Sequence, residues 1–144
     1  MSTVEPLYCL ITKNPDKYSK KERIFLEAGF FSCVCNQLKE MFREQYREYF
    51  RLMKFTNEME DTMLDTDFIC LVINDILSTN EYTLEGIAHY INIHEDILHE
   101  ILLGRNTNPS AIILQRTIDL HRSVRTELYR EIINKIALDH VAVA

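Results

Sequence analysis

An all-α fold, a helical bundle preceded by a long amphipathic N-terminal helix, is what this sequence predicts. Glycine and proline number only three each in 144 residues, so strong breakers are scarce and long helices are favoured over a many-turned β fold. From Ile24 the apolar positions advance in steps of four and three, the spacing of one helix face. From residue 67 onward, short stretches of the same period alternate with turn-type residues. The length suits one domain able to bury roughly two-thirds of its unfolded surface.

Residues 1–19 are expected as an N-terminal arm. Within it, residues 6–12 form a short strand or an extended stretch, and a polar turn runs from Lys13 to Lys21 around Asn14, Pro15 and Asp16. Ser19 and Glu22 have the spacing of a capping box, which starts a helix near residue 20. The segment 20–63 is read as one long dimerisation helix. Its seam is Ile24, Ala28, Phe31, Cys35, Leu38, Phe42, Gln45, Tyr49, Leu52, Thr56, Met59 and Met63, an a/d heptad pattern with polar interruptions. Phe25, Met41, Tyr46, Phe50 and Met53 widen that face. So broad a face packs on its own chain or, in part, on a second copy, and Phe31, Leu38, Phe42 and Tyr49 are the candidate dimer-interface residues. Gly29 marks a kink or break, at about 1 kcal/mol relative to Ala in a helix interior. Opposite the seam, Glu40, Glu44 and Glu48 each precede an arginine by three residues, in a stripe of Lys39, Arg43, Arg47 and Arg51. An ion-paired, solvated face is the plain reading and a phosphate-contacting stripe the alternative.

Asp67 is expected to cap a helix through Phe68, Leu71, Val72, Ile73, Ile76 and Leu77 that ends at residues 78–81. Helical signals follow at 83–90, 94–103 and about 109–122, closing a domain over 67–122. The pattern Val124, Leu128, Ile132 and Ile136 continues the last helix into a C-terminal helix and tail, 123–144.

The formal charge of -6 is unevenly spread. Residues 63–110 hold one Lys/Arg against eight Asp/Glu, whereas residues 1–62 balance at ten of each. Cys9, Cys33, Cys35 and Cys70 contain no CxxC pair, and on a helix Cys33 and Cys35 point about 200° apart, so reduced, mostly buried thiols are expected rather than a metal site. His89, His94 and His99 are spaced by five and share no helix face. There is no Ser-His-Asp order with a glycine elbow, no phosphate-cradling loop and no distinct carboxylate pair, so neither enzyme activity nor a cofactor is expected. No apolar run approaches the roughly 18 residues a membrane span needs, and Glu5 with no basic flank argues against a signal peptide. A cytoplasmic protein without membrane contact is the expectation.

The informative stretch is 82–110. Thr83 caps a helix whose Leu84, Ile87, Ala88 and Ile91 share one face, and Asn92 stands where a turn needs positive φ. Ile93 plugs the turn, His94 begins a second helix with Ile97 and Ile101 facing inward, and Gly104 ends it. In the order Thr83, Leu84, Ile87, Ala88, Ile91, Asn92, Ile93, Ile97, Leu98, Ile101, Gly104 and Pro109, this stretch resembles the Cro/C1-type, or XRE-like, helix-turn-helix. That resemblance implies a Cro/C1-like helix-turn-helix bundle and a transcription regulator that binds double-stranded DNA as a homodimer, with two recognition helices about 34 Å apart. Carried over by position, Glu95, Asp96, His99 and Glu100 face the major groove, with Thr83 and His94 at the helix starts, and Arg105, Asn106, Thr107 and Asn108 lie in the backbone-contacting loop. Here the chain departs from the pattern. Carboxylates repel phosphate, and positive charge must come from outside residues 63–103, for instance from Arg116, Arg122 and Arg125. The alternative is a non-enzymatic protein-interaction module, an antirepressor, DNA mimic or bacterial effector whose acidic face takes a basic protein partner.

Overall fold

The computed structural model describes residues 6–11, 15–106 and 108–143, and every regular element among them is helical. Asn14 of the expected polar turn, Thr107 of the expected contact loop and the first five residues of the expected arm lie outside the described residues. The elements run α1 (Leu7–Ile11), a 3-10 turn (Pro15–Lys17), α2 (Lys20–Gln45), α3 (Arg47–Leu52), α4 (Asn57–Thr66), α5 (Phe68–Ser78), α6 (Leu84–Ile91), α7 (Glu95–Leu102), α8 (Ala111–Val124) and α9 (Thr126–Val143). Two compact units result, one from residues 1–40 and 127–144 and one from residues 41–126. None of the helices is long and apolar enough to cross a membrane among the described residues.

In the first unit, residues 7–11 of the stretch expected as strand or extended chain are helical instead, and Thr12 lies outside the described residues. A five-residue helix has almost no stability of its own. Glu27 supplies what is missing: its two carboxylate oxygens accept the Leu7 and Tyr8 N–H groups at 3.0 and 3.1 Å, while Leu7 is buried. The capping box forms at the start of α2, the Ser19 N–H donating to Glu22 at 3.1 Å and the Glu22 N–H to Ser19 Oγ at 3.2 Å. The buried face of α2 is rotated from the expected seam. Phe30, Val34, Cys35, Leu38 and Phe42 are buried, whereas Ile24, Phe25 and Ala28 are exposed and Phe31 is half-buried. Steps of four outnumber steps of three, so the stripe drifts around the helix rather than holding a coiled-coil seam. Desolvation pushes the Cys35 thiol up to about 11. In α9 the buried residues are Tyr129, Ile132, Ile133 and Ile136.

The second unit corrects the expectation of a single helix over 20–63. The chain turns out of helical geometry at Tyr46 (φ -100°, ψ 12°) and again after Leu52, where Lys54 takes a left-handed conformation (φ 55°). Two aromatic rings close that second turn. The Phe55 N–H donates to the Phe50 carbonyl at 3.0 Å, and the two rings stack at 5.4 Å, the apolar contact that accompanies a left-handed C-cap. Thr56, assigned by periodicity to the seam, instead caps α4 by accepting the Met59 N–H at 3.2 Å.

Two of the four residues expected at a dimer interface are thereby corrected. Leu38 and Phe42 are fully buried within the chain, and Phe42 meets Phe68 edge-on at 6.4 Å. A side chain enclosed in its own core offers nothing to a second copy. Phe31 is half-buried and Tyr49 exposed. The core of the unit is α5, with Phe68, Leu71, Val72, Ile73 and Ile76 buried, packed on α8, and α8 in turn supports α6. The expected continuation of α8 into the C-terminal helix is broken at Arg125 (φ -112°, ψ 50°), whose guanidinium donates to Asp75 at 3.0 and 3.1 Å and to Ser78 at 3.3 Å. Asp67 occupies the start of α5 without a capping hydrogen bond from its side chain.

Candidate interaction face on the sixth and seventh helices

Three local devices fix the geometry of α6, its turn and α7. Thr83, in extended conformation, accepts the Gly86 N–H at 3.0 Å and starts α6. Asn92 is left-handed (φ 64°, ψ 50°), the Ile93 N–H reaches back to the Ala88 carbonyl at 3.0 Å and the Asn92 N–H to His89 at 3.2 Å, which satisfies the last carbonyls of α6. Gly104 (φ 75°) repeats the device after α7, with Arg105 N–H to Glu100 carbonyl at 2.9 Å. His94 is the N-cap of α7. Its Nδ1 accepts the Asp96 N–H at 3.1 Å, so this exposed ring is a backbone acceptor before it is a groove-facing donor.

Leu98 and Ile101 turn inward from α7, and Glu95, Asp96 and His99 stand exposed on it. Ile97, expected inside, is 41% exposed and Leu103 64% exposed, so the outer surface of this helix mixes carboxylates with bare aliphatic side chains. The sequence could not separate these roles, because 97, 98, 101, 102 and 103 are all apolar and an eight-residue helix has room for only part of them inside.

The cations nearest to hand are held by the protein's own acceptors. Arg105 lies 3.5 Å from half-buried Glu100. Arg116 donates to the Ile91 carbonyl at 2.9 Å, where it serves the C-terminus of α6. Arg125 forms the bidentate pair with Asp75. Arg43 bridges Glu60 and Asp61, Arg47 pairs with Glu44 and Arg51 with Glu48, which is the ion-paired reading of the α2–α3 stripe. In the loop, Asn106 is half-buried and its Oδ1 accepts the Asn108 N–H at 3.3 Å, while Asn108 is exposed. Residues 41–126 carry eight Lys/Arg against fourteen Asp/Glu and residues 1–40 with 127–144 carry eight of each, so the whole formal charge of -6 belongs to the unit that holds this face.

Between α5 and α8 lies a buried polar knot that sequence reasoning missed. His121 is 0% exposed, and its Nε2 sits 2.6 Å from Asp75 Oδ2. Burial opposes the Asp75 charge, but hydrogen bonds from Arg125 and His121 outweigh it and hold the carboxyl below its ordinary range. Burial likewise lowers the His121 ring, more than its bond to Asp75 raises it. A signal existed in the sequence: Asp75 is the lone carboxylate in the apolar run of α5, and a buried charge requires a partner. No three of His, Cys, Asp and Glu cluster as a metal site among the described residues. No protein-family model, curated protein or solved structure matches this chain.

Proposed function

We propose that this chain is a non-enzymatic protein-interaction module in which α6 and α7 form a helix-turn-helix whose acidic outer surface takes a basic protein partner. The outer surface of α7 carries the reading: Glu95 and Asp96 are exposed on it together with Ile97, half-buried Glu100 follows, Leu103 is exposed just past its end, and α7 itself has no Lys or Arg. A duplex presents closely spaced negative charge, which three carboxylates repel. A surface of lysines or arginines around an apolar residue matches both the charge and the bare aliphatic side chains. An antirepressor or DNA mimic would use such a surface.

Sequence-specific binding of duplex DNA by a dimeric Cro/C1-type regulator is the second reading. What favours it is backbone, not charge: the Thr83 cap and the left-handed Asn92 and Gly104 sit where that family's turns would need them. The DNA reading uses a second copy, and exposed Tyr49, Leu52, Met53 and Met59 are the proposed self-association surface.

Fluorescence anisotropy with two probes separates the readings: a labelled amphipathic helix of Lys, Arg and Leu, and a random-sequence duplex, both at low salt. On the interaction reading the peptide binds with salt-sensitive affinity. Ile97→Ser, and Glu95→Gln with Glu100→Gln, each weaken it about tenfold, a loss of about 1.4 kcal/mol. Duplex binding by the wild type that tightens in the double Gln variant would reverse the order of the two readings.

A further inference from the structure

The cavity between the start of α5 and the end of α7 has chemistry that the partner-binding face does not use. It holds about 390 Å³, within the ~300–1,000 Å³ common for small-molecule sites. Phe68, Leu71, Ile101 and Leu114 give it apolar walls. Among the described residues its charge is of one sign, from Asp65 and Asp67 at the α4–α5 corner, with no Lys, Arg or His in the lining. The Asp67 side chain makes no capping bond to α5, although it stands at the N-cap. From the other side come the last turn of α7, whose carbonyls carry the negative end of the helix dipole, and the amides of Asn106 and Asn108. A thiol, Cys70, also lines the cavity. Cys70, whose S–H faces the Leu102 carbonyl at 3.9 Å, is pushed up by burial and then by the Asp67 carboxylate.

We propose that this cavity is a binding site for a small organic cation, an ammonium group carried on an apolar body. The apolar walls take the body and exclude water from it, and the Asp67 carboxylate receives the ammonium protons. An anion of the same shape is repelled by the two carboxylates, which carry full charges against the partial positive charge of the first α5 amides and the Asn106 and Asn108 side-chain donors, and a neutral analogue gains the walls without the ion pair. Leu103 belongs to both this cavity and the partner-binding face, but the Phe68, Leu71, Ile101 and Leu114 walls and the Asp67 carboxylate do not, so the site does not rest on the partner reading.

The test is a ¹H–¹⁵N NMR titration of the intact chain with phenethylammonium, with 3-phenylpropionate as anionic counterpart. Phenethylammonium should shift the amides of Cys70, Leu103, Gly104 and Asn106 at millimolar concentration or below, and phenylpropionate should leave them in place. Asp67→Asn, a change of charge at constant shape, should weaken binding about tenfold, the size of one desolvated charge-assisted bond. Leu114→Trp, which fills the cavity, should abolish the shifts while the helical circular dichroism signal persists. Equal response to the two ions, no response to either, or unchanged affinity in Asp67→Asn would each overturn the proposal.

Discussion

Gly104 and Gly29 are the same residue type under opposite demands. At Gly104 the backbone is left-handed (φ 75°) and an added Cβ would meet nothing within 4 Å, so the whole penalty of a side chain there is conformational. Gly29 is mid-helix in α2, also with open space around it, and there the missing side chain only leaves extra chain entropy to be lost on folding. Urea denaturation should therefore show Gly104→Ala less stable by about 1 kcal/mol and Gly29→Ala more stable by about 0.5–1 kcal/mol. Equal and opposite logic applies to the buried knot. His121 and Asp75 both have folded values below their ordinary 6.5 and 3.8, so in acid the unfolded chain takes up protons that the folded chain resists. The His121 contribution is present above pH 6.5 and is lost as pH falls from there through its lowered folded value; the Asp75 contribution goes the same way below pH 3.8. The urea midpoint should fall between about pH 7.5 and 5.5, and His121→Gln should flatten that slope. A midpoint that rises on acidification over this window would mean that the ring is charged in the folded protein.

Elements whose limits are set by neighbouring residues were legible; those set by distant ones were not. The caps at Ser19, Thr83, Asn92 and Gly104 involve partners within five residues, so their side-chain chemistry shows in the string of letters. The long helix over 20–63 failed because the reward for breaking it, Phe55 stacked on Phe50 around a left-handed lysine, offsets a local penalty that any sequence rule would have counted against it. Helix α1 failed for the converse reason, since its amide acceptors sit twenty residues away on Glu27. At the candidate face the helices and turn were readable, yet the duties of the arginines were not. Arg116 and Arg125 look like free surface cations in the sequence, but they reach an α6 carbonyl and an α5 carboxylate 25 and 50 positions away. The internal commitment of those two cations is part of what supports the proposed basic partner over DNA.

The net charge and the proposed self-association surface both belong to residues 41–126. The -6 belongs entirely to residues 41–126, which suits a unit that repels polyanions and, through the same field, other copies of itself. Self-association in that unit must then rest on apolar contact. The turn between α3 and α4 leaves Leu52 79% and Met53 56% exposed beside Tyr49, around a left-handed lysine and a stacked aromatic pair that hold the segment in place. Exposed apolar side chains gathered at one corner are a candidate association surface. Leu38 and Phe42, by contrast, are interior, so a charge there attacks folding rather than association. Sedimentation equilibrium at about 100 μM should show a dimer for the wild type, since interfaces of micromolar affinity are filled at that concentration. Leu52→Glu with Met53→Glu should give a monomer with unchanged helical circular dichroism, whereas Phe42→Glu should lose the cooperative unfolding transition altogether. A wild type that sediments as a monomer at that concentration would remove the α3–α4 corner as an interface, and a monomeric Phe42→Glu with intact helicity would return the contact to the α2 face.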